Sequence, residues 1–114
     1  MQRWNLSDVE ASSPVVLHSR DGEGRVVLLS LAPGDELGDH EVREAALVLV
    51  LDGEARIDSG DESIDARGGE LFRFDPHERR SVTTAGGTRL LLVLSPWPGE
   101  GHYDAGETRL SASS

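Results

Sequence analysis

Apolar residues in this chain come in short runs, each closed by glycine, proline or aspartate, and no segment sustains a helical period. Residues 15–19 and 26–31 read as strands on either side of the turn Asp21-Gly22-Glu23-Gly24, and Pro33-Gly34 ends the second. Residues 45–51 form the next strand. Asp52-Gly53 then predicts a tight primed hairpin turn, with 54–58 as the returning arm, where Ala55 and Ile57 alternate with Arg56 and Asp58. Residues 63–66 and 70–74 are short strands flanking Arg67-Gly68-Gly69; Leu71 and Arg73 fall on one face of the second, Phe72 and Phe74 on the other. Asp75-Pro76 stops it. Residues 80–84 and 89–95 read as a second hairpin about Ala85-Gly86-Gly87. Strands thus recur roughly every eight to twelve residues, which predicts an all-β sandwich or barrel. A short helix over 42–46 is the main local competitor, because that stretch holds good helix formers.

The ends are different in kind. Residues 1–13 are polar and mixed, with Trp4 and Leu6 as large apolar groups, and form an arm able to add a short edge strand. Past Pro96-Trp97-Pro98 there is almost nothing to bury, so 1–98 is expected to be one barrel domain and 99–114 a disordered polar tail. Trp97, between two prolines, suits a lid that packs against one end of the barrel. The runs 26–31, 47–51 and 90–94 are apolar on both faces, although a small barrel buries only one face of each strand inside. Their outer faces need a cover, from a second sheet, the arm or another subunit, and a homodimer is expected.

With 114 residues the chain fits one domain able to bury its own core. Cysteine is absent, which excludes disulfides and thiol chemistry and suits a reducing compartment, with the cytoplasm expected. The first residues lack a signal-peptide pattern and no apolar run approaches the length of a membrane span, so no membrane partner is expected. The formal charge of −10 and the lack of a basic stripe argue against a nucleic-acid partner. Every non-histidine cation is arginine, so an arginine in the interior must be paired or must bind an anion. No Ser-His-Asp order or phosphate-cradling loop is present; the glycine-rich stretches lie in turns.

One spacing goes further. Gly34, five residues, His40, one residue, Val42, three residues, Ala46, six residues, Gly53 resembles the first motif of the cupin superfamily. Gly69, five residues, Asp75, one residue, His77, two residues, Arg80 is similar in spacing to the second motif. The resemblance covers about residues 25–95 and implies a double-stranded β-helix, a small jelly-roll barrel with its site in the mouth. Cupins that bind metal typically place two histidines and a glutamate in the first motif and a histidine in the second. Here His40 alone matches; Val42, Ala46 and Arg80 stand at the other three positions, and two of these donate nothing while the third is a fixed cation.

If the strand through 40–46 is regular, His40, Val42, Glu44 and Ala46 share one face, and the resemblance places Arg80 in the same cavity. The expected site is therefore His40, Glu44 and Arg80, with Val42, Ala46 and Trp97 as wall: Arg80 takes the metal's place, Glu44 holds it, and a small ligand bearing a carboxylate or phosphate meets the guanidinium. No cofactor is preferred. The alternatives are a metal-dependent enzyme of oxygenase or isomerase type, holding a divalent transition metal with His40, Glu44 and His77, and a structural or regulatory dimer module. His18 reads as a surface group.

Overall fold

The computed structural model describes residues 1–40 and 43–95, with Asp39 and His40 described by their backbone. A 3-10 turn, Leu6–Asp8, precedes β1 (Val15–Ser19), β2 (Arg25–Leu31), β3 (Glu36–His40), β4 (Ala45–Ser59), β5 (Glu62–Arg67), β6 (Leu71–Phe74), β7 (Arg80–Thr83) and β8 (Thr88–Ser95). The all-β class is as the turn spacing predicts. The paired strands are antiparallel and make two sheets: β1-β2-β8-β4-β6, and β3-β7-β4-β5, with β4 in both. Alternation places Val27, Leu29, Val48, Leu90 and Leu92 of the first sheet against Ile57, Ala66 and Val82 of the second, and this is the core.

The Asp52-Gly53 hairpin is not formed. β4 runs unbroken from Ala45 to Ser59, and its register against β8 shifts between Val50 and Asp52. Gly53 has φ +82, the conformation the hairpin reading also required, but here it serves a bulge that re-aims one long strand from the first sheet to the second. Thr88 Oγ1 donates to the Asp52 carbonyl and the Glu54 amide to the Gly87 carbonyl, so the bulge lies directly against the start of β8. Its two halves have separate partners: the first pairs with β6 and β8, the second with β5 and β7. A glycine-rich pair specifies a positive φ and cannot specify which strand lies opposite.

A second reading is corrected for the same reason. β7 and β8 do not pair with each other: β7 lies between β3 and β4, β8 between β2 and β4. The turn joining them crosses between the sheets, and Glu54 holds it. Glu54 Oε1 accepts from the Gly86 amide at 2.6 Å, the Ala85 amide at 2.9 Å and Thr84 Oγ1 at 3.1 Å. The Gly86 amide, aided by Thr84 and Ala85 and opposed by partial desolvation, holds this carboxyl below the usual carboxylate range. A lowered folded-state value contributes stability that is present above the ordinary value and lost as pH falls through the lowered one. Glu54→Gln should therefore melt at lower temperature than wild type at pH 7, with the difference closing as pH falls below about 4, the ordinary glutamate value. Equal melting temperatures at both pH values would mean that the charge contributes nothing.

The arm forms the 3-10 turn, capped by Asn5, in place of the expected edge strand. Arg89 fastens it, donating to the Leu6 and Val9 carbonyls, while the Ser30 amide donates to the Ala11 carbonyl at 2.8 Å. Leu28, which alternates out of the barrel core, is nevertheless fully buried. β3 was not anticipated, and 45–46 are strand, not helix. Residues 96–114, including Trp97 and the expected tail, lie outside the described residues, as does Val42.

Candidate functional site

Arg80 opens β7 with its Cα opposite that of His40 in β3. Alternation with buried Val82 turns its side chain into the barrel, where it is 2% exposed and among the largest fully buried side chains. Its guanidinium carbon lies 5.1 Å from the centroid of the Phe74 ring, contributed by the other sheet, in cation–π range. Phe74 is opposite Ala46, and Ala46 is opposite Leu94, so the arginine sits on an apolar layer of β6, β4 and β8.

Neither Nη1 nor Nη2 of Arg80 has a hydrogen-bond partner among the described residues. Buried polar groups are nearly always paired, and leaving a charged one unpaired is costly. Burial lowers the Arg80 pKa and the Glu78 charge opposes that, but a guanidinium starts so far above neutrality that it stays a cation. The arrangement is a fixed positive charge in a dry setting, with two donor nitrogens available to an anion.

The expected Glu44 clamp on those nitrogens is not made. Glu44 is buried, but it lies in a bend between β3 and β4, because 40–46 is not one regular strand. Among the described residues, it is the Glu78 charge that opposes the lowering of the Arg80 pKa by burial. Glu78 is tied in turn: Ser59 Oγ donates to its Oε2 at 2.8 Å, and its Oε1 accepts from the Asp75 amide at 3.0 Å. His77 stands exposed in this Asp75–Glu78 turn with φ +67, a conformation uncommon for a side-chain-bearing residue. The side chain of His40 lies outside the described residues, and so does Val42 of the expected wall.

The fold implies metal chemistry for many of its members, and the donor set here does not fit it. Among the described residues no three His, Asp or Glu side chains are grouped to hold an ion. Ala46, at the glutamate position, is packed in the core and donates nothing, and Arg80, at the last histidine position, is a buried cation that opposes an ion beside it.

Two residues of this end escaped the sequence reading. The sequence gives Phe74 a face but no role, and it leaves Arg25 unassigned between the Asp21-Gly22-Glu23-Gly24 turn and the strand at 26–31. The signal for Arg25 was its parity with Val27, Leu29 and Leu31. A cleft of about 400 Å³ between Leu6, Ser7, Leu51, Asp52 and Arg89 is on the outside of the barrel, where Arg89 is occupied in holding the arm. His18, expected at the surface, is half-buried and 3.3 Å from Glu23.

No protein-family model matches the chain, and no curated protein matches it. Solved structures do. A cupin superfamily protein from Desulfitobacterium hafniense superposes with a TM-score of 0.72 at 25% identity, over 78% of this chain and 84% of that one. An uncharacterized conserved protein with a double-stranded β-helix domain from Klebsiella pneumoniae gives 0.72 at 17% identity, over 88% and 92%. An RmlC-like cupin family protein from Methanocaldococcus jannaschii gives 0.67 at 14%, over 78% and 85%.

Proposed function

From the premise that this chain is a small protein of the cupin fold, we propose that it binds a small anionic or polar ligand inside the barrel without a metal. The observation that carries the reading is the buried Arg80, whose terminal nitrogens have no partner among the described residues. A carboxylate or phosphate supplies the paired acceptors that a guanidinium fork is shaped for. Phe74 and Ala46 form the floor below it, so the ligand is small. His40 and Glu44 are assigned to the sides of the site, and Val42 and Trp97 to its wall.

The test is thermal unfolding against a panel of monocarboxylates and inorganic phosphate. A ligand at a hundred times its dissociation constant adds about 2.7 kcal/mol, or roughly 10 °C or more for a domain of this size. Wild type should show such a shift with at least one anion, and Arg80→Met should show none. An equal shift in the variant, or no shift from any anion at tens of millimolar, sinks the reading.

We also place a second copy of the chain on the outside of the first sheet. Leu71 is 60% exposed and Leu47 38% exposed there, and Leu71, Leu49 and Leu91 are aligned across β6, β4 and β8. Such an apolar face suits a two-fold partner, in a protein assigned to the cytoplasm. Light scattering should give a dimer for wild type and a monomer for Leu71→Glu. A monomeric wild type across a wide concentration range refutes the assignment.

A further inference from the structure

We infer that Arg25 is the second half of an anion receptor whose first half is Arg80, and that the ligand is a short dicarboxylate, its two acidic groups held apart, one at each guanidinium. This rests on the anion-binding reading of Arg80 and specifies what that reading would bind.

The placement follows from register. β2 pairs with β8 without interruption from Arg25 opposite Leu94 to Leu31 opposite Thr88. Arg25 therefore shares the parity of Val27, Leu29 and Leu31, all core residues, and not that of Leu28. Its partner Leu94 is itself in the core, so Arg25 stands on the inner face at the last rung of the sheet. It is half-buried, and its Nε is shielded from solvent. The same rung continues through Leu94, opposite Ala46, and Ala46, opposite Phe74. Arg80 lies over that Phe74 ring from the opposing sheet. The two guanidinium-bearing residues thus belong to one end of one barrel, with Leu94, Ala46 and Phe74 as the apolar floor between them.

Three strand-to-strand steps separate β2 from β6, about 14 Å along the sheet. The sheet is curled, and each arginine side chain extends inward from its own edge. The ligand fitted to this placement sets one acidic group at each guanidinium and its methylene groups over the apolar floor of Leu94, Ala46 and Phe74. The other charges at this end bound the choice. Among the described residues Glu44 is a buried carboxylate that immediately precedes β4 at this end, and the charge of half-buried Glu78 acts on Arg80. Two acidic groups can each be answered by an arginine, whereas a third would meet Glu44 in a dry site.

The experiment is isothermal calorimetry on the full chain with succinate, glutarate and adipate against propionate and butyrate. Citrate and inorganic phosphate serve as further probes, and the proteins are wild type, Arg25→Gln, Arg25→Lys and Arg80→Met. Wild type should bind its best dicarboxylate at least tenfold more tightly than the monocarboxylates or phosphate, and citrate more weakly than that dicarboxylate. Arg25→Gln should erase the preference for the dicarboxylate, Arg25→Lys should restore part of it, and Arg80→Met should lose binding of both mono- and dicarboxylates. Equal affinity for mono- and dicarboxylates in wild type, with both lost in Arg80→Met, overturns the role of Arg25 and leaves the Arg80 reading standing. No binding of any probe by wild type overturns both. Circular dichroism of Arg25→Gln confirms that it is folded, and Arg25→Lys carries the comparison should it not be.

Discussion

Gly53→Ala is expected to remove a large share of the stability of the fold. Two independent costs fall on one methyl group. The left-handed φ of +82 costs an L-residue about 1–2 kcal/mol. The new Cβ would also collide with the Gly87 carbonyl oxygen and lie 2.9 Å from Thr88 Cα, which demands movement of backbone. The adjacent hydrogen bonds of Glu54 and Thr88 resist that movement. Forcing excess volume into a packed site typically adds roughly 1–3 kcal/mol, so the sum is a large share of the ~5–15 kcal/mol that a small domain possesses. Gly60→Ala is the control. Gly60 also has positive φ, +59, but a Cβ there meets nothing within 4 Å, so only the conformational cost applies. Urea unfolding of the two variants should differ by at least ~1 kcal/mol, the lower bound of the packing cost. Similar midpoints would show that β8 yields easily, and that close approach is not what requires glycine at the bulge.

Arg80→Met moves stability the other way. In the absence of ligand the arginine is a buried cation whose terminal nitrogens have no partner among the described residues, a state that costs stability. Methionine fills similar space, keeps contact with the Phe74 ring and needs no hydrogen bond. Replacing buried ionic groups by apolar ones of similar volume often stabilises by about 1–4 kcal/mol, and in a domain of roughly this size each kcal/mol raises Tm by about 4–8 °C. Arg80→Met is therefore expected to melt several degrees above wild type in ligand-free buffer. Arg80→Ala should melt below Arg80→Met, because it leaves a void over Phe74. A methionine variant that melts well below wild type would mean that Arg80 is satisfied in the folded protein and contributes to its stability. A residue that costs stability when alone is of the kind found at binding sites, where the ligand supplies the missing acceptors.

How much of this was legible beforehand can be judged residue by residue. Glycine, proline and aspartate punctuation placed most strands within a residue or two, because turn chemistry is local. The spacing of Gly34, His40, Gly53 and Gly69 led to the fold, and the sequence already showed Ala46 and Arg80 at two of the positions where the resemblance implies metal donors. What failed shares one cause. Asp52-Gly53 and Ala85-Gly86-Gly87 demanded positive φ in either a hairpin, a bulge or a crossover, and the choice among these depends on which strands lie opposite. The Glu44 clamp on the Arg80 terminal nitrogens is not made, because the strand it assumed is interrupted at Arg43 and Glu44, which form a bend.

The chain by itself determined the all-β class, the apolar runs from which the core is drawn, and an arginine at position 80, where the resemblance to metal-binding cupins implies a histidine. These follow from side-chain type and a period of two, which need no knowledge of partners. Only the tertiary structure decided that β4 belongs to both sheets, that Phe74 underlies Arg80, and that Arg25 and Arg80 stand at the same end of one barrel. Each of those is a relation between residues far apart in the chain, set by the register of strands that pair across it, and register is a property of the closed barrel rather than of any one segment.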